Sequence, residues 1–328
     1  MTSKKRIVSG MRPTGALHLG NLHGALKNWI DMQDRFDCFF FIADWHALTS
    51  DYENPAHIKE FSRKMMIDWL GAGLSPEKST LFVQSHIKYH AELFLLLSMI
   101  TPVPWLERNP TYKEQIAELQ NKDLSTFGFL GYPILQAADI IIYKAEGVPV
   151  GIDQAPHIEI TREIARRFNY FYGNVFPEPE TILTESAKIL GTDRRKMSKS
   201  YDNAIFISDS PDAIRKKVAT MITDPQRKKR SDPGDPDVCN VFSFHQMYSP
   251  ADMIAEVNQD CRRAAIGCVE CKQKMAEHLI TALSPIREKT EYYQERPDLV
   301  EDIITQGNKK AAAEAERTMK SVREALKI

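Results

Sequence analysis

Arg6-Ile7-Val8-Ser9-Gly10-Met11-Arg12-Pro13-Thr14-Gly15-Ala16-Leu17-His18-Leu19-Gly20-Asn21 passes from an apolar run, through a turn rich in Gly and Pro, into a helical pattern. Arg6 to Ser9 reads as a short strand. Beyond the turn, Leu22, Ala25, Leu26, Trp29 and Ile30 recur with the 3.6-residue period of a helix. A strand that enters a helix through such a turn aims backbone N–H groups and the positive helix end at one place, where a phosphate chain could lie. Gly20 has no Cβ, so an adenine or ribose could rest against its backbone. His18 and Asn21 could donate hydrogen bonds to phosphate oxygens. Taken alone, the segment fits equally well a tight strand–helix turn capped by a histidine.

The alternation continues outward. Cys38 to Ala43 is a continuous apolar run, as expected of a strand buried on both faces of a parallel sheet. Asn54-Pro55 supplies an N-cap and first-turn pair for a helix with Ile58, Phe61, Met65 and Trp69 on one face, closed by Gly71 and Gly73. Thr80 to Gln84 and Val148 to Gly151 read as further strands. The loop after the latter carries Asp153 and Gln154, and a helix with Ile160, Ile164 and Phe168 follows. This series predicts an α/β fold, a Rossmann-like doubly wound parallel sheet, with ligands at the carboxyl ends of its strands. Residues of about 98–143 read as a helical insertion with Lys113, Glu114, Asp123 and Ser125 on its surface. From about Ser208 no strand is expected. Asp212 to Ile222, Pro250 to Ile266, Val269 to Leu283 and Pro297 to Ile304 are the helix candidates. A last helix has Ala315, Met319, Val322 and Leu326 on one stripe, which would pack back on the first domain. The expected division is residues 1–200 as the sheet domain and 201–328 as a smaller all-helical domain. The polar run Ser231 to Asp237 is a candidate for disorder.

A chain of 328 residues that is 43% hydrophobic and 27% charged has room for two domains, and a net charge of −1 gives no global pull on nucleic acid or membrane. Any polyanion must then be held by local basic patches. No apolar run approaches the ~20 residues that span a bilayer, and no signal-peptide core follows Met1. A cytoplasmic location is expected, where thiols stay reduced. Cys38, inside its apolar run, is expected as buried packing. Cys239, Cys261, Cys268 and Cys271 form the pattern C-x21-C-x6-C-x2-C, which argues for a metal site. Four thiolates suit tetrahedral zinc or a [4Fe–4S] cluster, and spacing does not choose between them. Arg227-Lys228-Lys229-Arg230 before the cluster, with Arg262 and Arg263 within it, makes either a basic face toward RNA or an ordinary solvated charge run.

A second phosphate-side candidate is Lys196-Met197-Ser198-Lys199-Ser200. Two flexible cations and two hydroxyls in one turn suit a pyrophosphate on which charge accumulates, although a solvated basic loop looks the same in isolation. In Tyr132-Pro133-Ile134-Leu135-Gln136-Ala137-Ala138-Asp139 a helix would set Tyr132, Gln136 and Asp139 on one face. A buried carboxylate is a natural acceptor for the single N–H of an indole. The same stripe could instead meet solvent or a second subunit.

Together, His18-Leu19-Gly20-Asn21 and Lys196 to Ser200 resemble the paired signatures of class I aminoacyl-tRNA synthetases. Ser9-Gly10, Pro13-Thr14-Gly15, Gly151-Ile152-Asp153-Gln154 and Gly191-Thr192-Asp193 extend the resemblance to bacterial tryptophanyl-tRNA synthetases over nearly the whole chain. The resemblance implies that Arg12, Pro13, Thr14, Gly20, Asn21, Gly151, Ile152, Asp153, Ile189, Lys196, Met197, Ser198, Lys199 and Ser200 contact ATP, with Mg²⁺ beside the phosphates. Lys196, Lys199, His18 and Asn21 would act on the reacting phosphates. Asp139 would accept from the indole, Tyr132, Gln136 and Gln154 would lie near the amino group of L-tryptophan, and His46 would shape the pocket. It further implies tRNA(Trp) as partner, a helical anticodon-binding domain, and a homodimer formed through the insertion. The cysteine spacing resembles an iron–sulfur pattern in a subset of that family, with one residue fewer in the first gap. Tyrosyl-tRNA synthetases share the Tyr-x-x-x-Gln-x-x-Asp helix, so tyrosine is the competing substrate, and Asn21 with Ser9-Gly10 favours tryptophan. A nucleotidylyl transferase for a small metabolite, or an inactive paralogue serving as an iron–sulfur RNA-binding module, would share fewer of these features.

Overall fold

The structure, a computed structural model, describes residues 4–109, 124–184 and 189–328, with the backbone alone of Asp153. Lys113, Glu114 and Asp123 of the expected insertion lie outside the described residues. Five strands, β1 (Arg6–Met11), β2 (Asp37–Ile42), β3 (Ser79–Val83), β4 (Gly147–Val150) and β5 (Glu180–Leu183), form one sheet in the order β3-β2-β1-β4-β5. Every neighbouring pair is parallel, with Ile7 opposite Cys38 on one side of β1 and Gly147 on the other. The order reverses between β1 and β4, and that switch point opens a crevice at the carboxyl edge.

β2 and β3 are apolar almost throughout because both faces of the sheet are covered. On one face Trp29 stacks on Phe40 at 4.6 Å and meets Trp69 edge-on at 5.3 Å. Phe39, Phe82, Tyr143 and Phe168 fill the other face. β5 is a strand the sequence did not suggest: it is a short edge strand with half-exposed residues, so it carries no buried apolar run.

The chain leaves β1 through the glycine turn into α1 (Leu19–Asn21), a π-helical turn (Leu22–Leu26) and α2 (Lys27–Met32). α3 (Asp44–Asp51) follows β2, and α4 (Ile58–Ala72) ends on Gly73, whose φ of 115° only glycine adopts freely. α5 (Tyr89–Ser98), α6 (Val103–Glu107), α7 (Phe127–Leu130) and α8 (Tyr132–Ile141) make the helical stretch before β4. α9 (Ala155–Tyr172) joins β4 to β5.

The C-terminal part is helical, as expected, but its divisions differ. α10 (Pro211–Ala219) and α12 (Ala251–Arg262) are close to expectation, while α11 (Asn240–Tyr248) was not anticipated. α13 (Cys268–Gln294) runs well past Leu283 and straight through Pro285. Its packing outweighs the proline: Met275, Leu279 and Leu283 are buried, and Thr290 crosses α4 where Gly71 leaves no room for a Cβ. α14 (Pro297–Leu326) is a single helix that unites the last two candidates. It lies against β3, with Gly307 pressed on the carbonyl of Leu81 and Asn308 accepting from the Val83 N–H at 3.0 Å, while Ala311, Ala315 and Met319 enter the sheet core. Ser231 to Asp237, the candidate for disorder, is tied down: Asp232 accepts from the N–H groups of Lys228 and Lys229, and the Gly234 N–H donates to the Cys261 carbonyl at 2.9 Å.

Candidate active site

A cavity of about 380 Å³ occupies the crevice between β1 and β4, and His46, Tyr132, Gln136, Asp139 and Gln154 all line it. Arg12 and Gly151 border it on the side of the glycine turn, and Trp29, Phe41 and Phe129 supply aromatic walls. Asp139 is completely buried. Its carboxylate accepts from His46 Nε2 at 2.8 Å, from His90 Nδ1 at 2.6 Å, and from Gln84 Nε2, which bridges both oxygens at 2.8 Å. Burial opposes its charge, but the hydrogen bonds from His46 and His90 prevail, and the carboxyl titrates below its ordinary range. An ionised carboxylate only accepts, so both histidines must donate to it. His90 Nε2 lies 2.7 Å from the Tyr143 hydroxyl, within hydrogen-bond reach.

The sequence reading missed Gln84, His90 and Tyr143. Gln84 carried a signal, since it is polar and follows directly on an apolar strand at the edge where ligands sit; His90 and Tyr143 carried none. Tyr132 meets His157 Nε2 at 3.3 Å, and burial pushes its phenol upward. Arg12 is tied to Ser50 and faces Asp51 at 3.9 Å, and its Nε is buried without a hydrogen-bond partner. Burial, the dominant cause, holds its guanidinium below the usual range.

The two phosphate-side motifs meet. The Leu19 N–H donates to the Ile205 carbonyl and the Ile207 N–H to the Leu17 carbonyl, both at 3.0 Å, so the segment after the lysine loop pairs with the glycine turn. Lys199 Nζ reaches across to the Thr14 carbonyl at 2.9 Å and its hydroxyl at 3.3 Å. Such an approach suits Gly15, whose φ is 106°. Burial pulls the Lys199 ammonium down to about 8, with Asp68 opposing and Lys64 adding to the effect.

His18 and Asn21 form a reciprocal cap: the Asn21 N–H donates to His18 Nδ1 at 3.3 Å, and the His18 N–H donates to Asn21 Oδ1 at 3.0 Å. Burial, followed by the charges of Lys199 and Lys196, takes His18 down to about 4. It is therefore neutral at pH 7, and with Nδ1 accepting, its proton is on Nε2. Met197 is buried and its N–H donates to the Ile189 carbonyl at 3.0 Å, whereas Lys196, Ser200 and Ile152 are exposed. The side chain of Asp153 lies outside the described residues.

The cysteines converge at the join of α11, α12 and α13. Cys239, Cys261 and Cys271 pack around Phe242, Val257 and Ile266, and Cys268 opens α13. Burial pushes the Cys271 thiol up to about 12, and the nearby sulfurs of Cys239, Cys261 and Cys268 add to it. His245 Nε2 is 3.5 Å from Cys271 Sγ, and Arg227 Nη1 points at Cys261 Sγ from 3.8 Å. Among the described residues, no three His, Cys, Asp or Glu side chains stand where one metal ion could hold them. The basic run is partly turned inward: Arg227 donates to the carbonyls of Arg230 and Ile266 at 2.8 Å, while Arg262 pairs with Asp237 at 2.7 Å.

A parallel sheet with two converging phosphate-side motifs, beside a cavity holding a buried ionised carboxylate, defines a class I tRNA synthetase. The chain belongs to that family: residues 1–284 match the model for tRNA synthetases class I (W and Y). Within it, similar full-length proteins include tryptophan–tRNA ligases. That of Thermotoga maritima is 53% identical, covering 98% of this chain and 99% of the relative, and that of Aquifex aeolicus is 45% identical, covering 98% and 100%. Among solved structures, the tryptophanyl-tRNA synthetase of Campylobacter jejuni complexed with ADP and tryptophan superposes with a TM-score of 0.91 at 34% identity, covering 98% of this chain and all of that one.

Proposed function

We infer that the protein is a tryptophan–tRNA ligase. A carboxylate oxygen of L-tryptophan attacks the α-phosphorus of ATP in line, forming the tryptophanyl-adenylate as the bond to the leaving pyrophosphate breaks. The terminal ribose hydroxyl of tRNA(Trp) then displaces AMP. The observation that supports this reading is Asp139, a buried carboxylate in the lining of the cavity, which on this reading exchanges one of its protein donors for the indole N–H. Gln136, Gln154 and Tyr132 would take the amino group, and His46 orients the carboxylate. Lys196 and Lys199 would stabilise the pyrophosphate as charge builds on it, His18 Nε2–H and Asn21 would hold phosphate oxygens, and Mg²⁺ enters with the nucleotide. Arg12, Pro13, Thr14, Gly20, Gly151, Ile152, Asp153, Ile189, Met197, Ser198 and Ser200 form the rest of the ATP surface. ATP–pyrophosphate exchange with each standard amino acid tests the reading. Tryptophan alone should drive exchange, followed by charging of tRNA(Trp); exchange driven by tyrosine, or none at all, would overturn it.

The working division is a catalytic unit of residues 1–200 and an anticodon-binding unit of residues 201–328. The protein is expected in the cytoplasm; no helix among the described residues is long and apolar enough to cross a membrane. A homodimer through the stretch before β4 is supported by large apolar side chains in solvent there: Leu95 is 55% exposed, Met99 69% and Phe127 67%. Sedimentation at micromolar concentration should give twice the chain mass.

Cys239, Cys261 and Cys271 pack round one small core with Cys268 at the head of α13, and the family resemblance of their spacing is what favours a [4Fe–4S] cluster over zinc. Cys239, Cys261, Cys268 and Cys271 would hold the cluster, which when bound would staple α12 to α13. Anaerobic preparations should carry about four iron per chain and absorb near 400 nm, a typical figure for such clusters. Stoichiometric zinc without visible absorption would refute this.

A further inference from the structure

The lysine loop exposes Lys196 and Ser200 and half-buries Lys199, and its proposed chemistry requires two ammonium groups in fixed places. What fixes it lies beneath. Asn203 is only 2% exposed, four residues beyond Lys199, where Asp202 turns the chain back at a left-handed φ of 51°. Its side-chain amide is bonded at both ends. Oδ1 accepts from the Ser198 N–H at 2.8 Å, while Nδ2 donates to the Lys196 carbonyl at 3.2 Å and to Asp193 Oδ1 at 2.7 Å. Its backbone carbonyl accepts from the Thr192 N–H at 3.0 Å.

The amide has no freedom to move away. Gly191 lies directly against it, so a Cβ at that position would collide with the Asn203 side chain. The far side of Gly191 is fastened by Asn240 Nδ2, which donates to its carbonyl at 2.7 Å. One side chain thus grips the two peptides that flank Met197, directly after Lys196 and one residue before Lys199.

We propose that Asn203 is a positioning residue for adenylate formation, its amide setting the height and angle at which the Lys196–Lys199 segment meets the leaving pyrophosphate. This rests on the ligase reading of the lysine loop. The residue type is dictated by the grip. Aspartate has the shape but sets a carboxylate oxygen against Asp193 and a carbonyl, glutamine has no space beside Gly191, and alanine leaves the Ser198 N–H and the Lys196 carbonyl unpaired.

The test is single-turnover adenylate formation by full-length wild-type protein, Asn203→Asp, Asn203→Ala and Gly191→Ala, the last pressing on the same amide from outside. Each is paired with tryptophan affinity by equilibrium dialysis and with thermal melting. A displacement near 1 Å costs on the order of 100-fold in rate. Asn203→Asp and Gly191→Ala should therefore slow adenylate formation between about 10- and 100-fold, with tryptophan affinity within about 2-fold of wild type. Wild-type rates in the folded variants would overturn the proposal, and so would rate and tryptophan affinity falling together, as they would for a general loss of structure. If Asn203→Asp fails to fold, Gly191→Ala and Asn203→Ala decide by the same criterion. A wild-type chain without exchange activity would defeat the ligase reading; an active wild type with unaffected variants would defeat only the role of Asn203.

Discussion

Asp68 offers a measurable conflict between stability and function. It sits on α4, fully buried beneath the glycine turn, where Oδ2 accepts from the Leu17 N–H at 3.1 Å and Oδ1 has no hydrogen-bond partner. Burial raises its carboxyl from 3.8 to about 6, against the opposing effects of the Leu17 hydrogen bond, Lys64 and Lys199. An acid whose folded pKa lies above its unfolded value penalises folding when charged. The penalty is complete above pH 6, shrinks as pH falls between the two values, and vanishes below the unfolded pKa. At about 1.4 kcal/mol per unit it amounts to about 3 kcal/mol at pH 8 and about 1 kcal/mol at pH 4.5.

Asp68→Asn removes the titration and keeps the shape. Its buried amide brings its own cost, but that cost does not depend on pH. The stability difference between variant and wild type should therefore change by about 2 kcal/mol between pH 8 and pH 4.5, in favour of the variant at the higher pH. Urea unfolding at both values, with the slope unchanged, measures it. A difference constant over this range, or one that favours the variant more at pH 4.5, would refute the reasoning. The same substitution removes a negative charge that supports the Lys199 ammonium, so exchange activity at pH 8 should fall while stability rises.

Three further outcomes follow from the site and its supports. Because Lys199 must be protonated and titrates near 8, kcat/KM for ATP should decline above pH 8, and neutral His18, at about 4, should contribute no limb near 6.5; a flat alkaline profile to pH 9.5 would remove Lys199 from the role. Asp139→Asn should raise the KM for tryptophan about 10- to 100-fold, the equivalent of a charged hydrogen bond of ~1.5–3 kcal/mol, and unchanged KM would show that the indole is held elsewhere. Gly307→Ala drives a Cβ into the Leu81 carbonyl and should cost about 3 kcal/mol or more by urea unfolding; a neutral effect would mean that α14 does not lie against β3 as described.

The parallel sheet was legible because β1, β2 and β3 announce themselves as apolar runs followed by turn and helix signals. β5 was not, since a short edge strand buries too little to leave a pattern. Helix lengths failed where tertiary contacts override local rules: Pro285 marks a break in sequence, yet the α4 crossing at Gly71 and Thr290 carries α13 through it. For the cavity, the spacing of Tyr132, Gln136 and Asp139 revealed a polar face but not its orientation. That depended on His46, Gln84 and His90, supplied by α3, the end of β3 and α5. Such partners are brought together by topology, and no local pattern in the sequence encodes their meeting.

α11 explains why the helical C-terminal part cannot be treated as an appendage of the proposed ATP site. The helix starts directly after Cys239 and buries Val241 and Phe244 in the same core as Trp29 and Ile205. From its first turn Asn240 fastens Gly191, the floor under the lysine loop, and from its last Tyr248 meets His23 Nε2 at 2.6 Å, inside the π-helical turn behind the glycine motif. His245 of the same helix reaches Cys271. One nine-residue helix therefore touches both phosphate-side motifs and the cysteine cluster. A packed core moves its elements as units rather than deforming continuously. A shift of α11 would therefore have to change the footing of Gly191 and His23 together, so the geometry of the lysine loop is set from the C-terminal half of the chain as much as from the sheet.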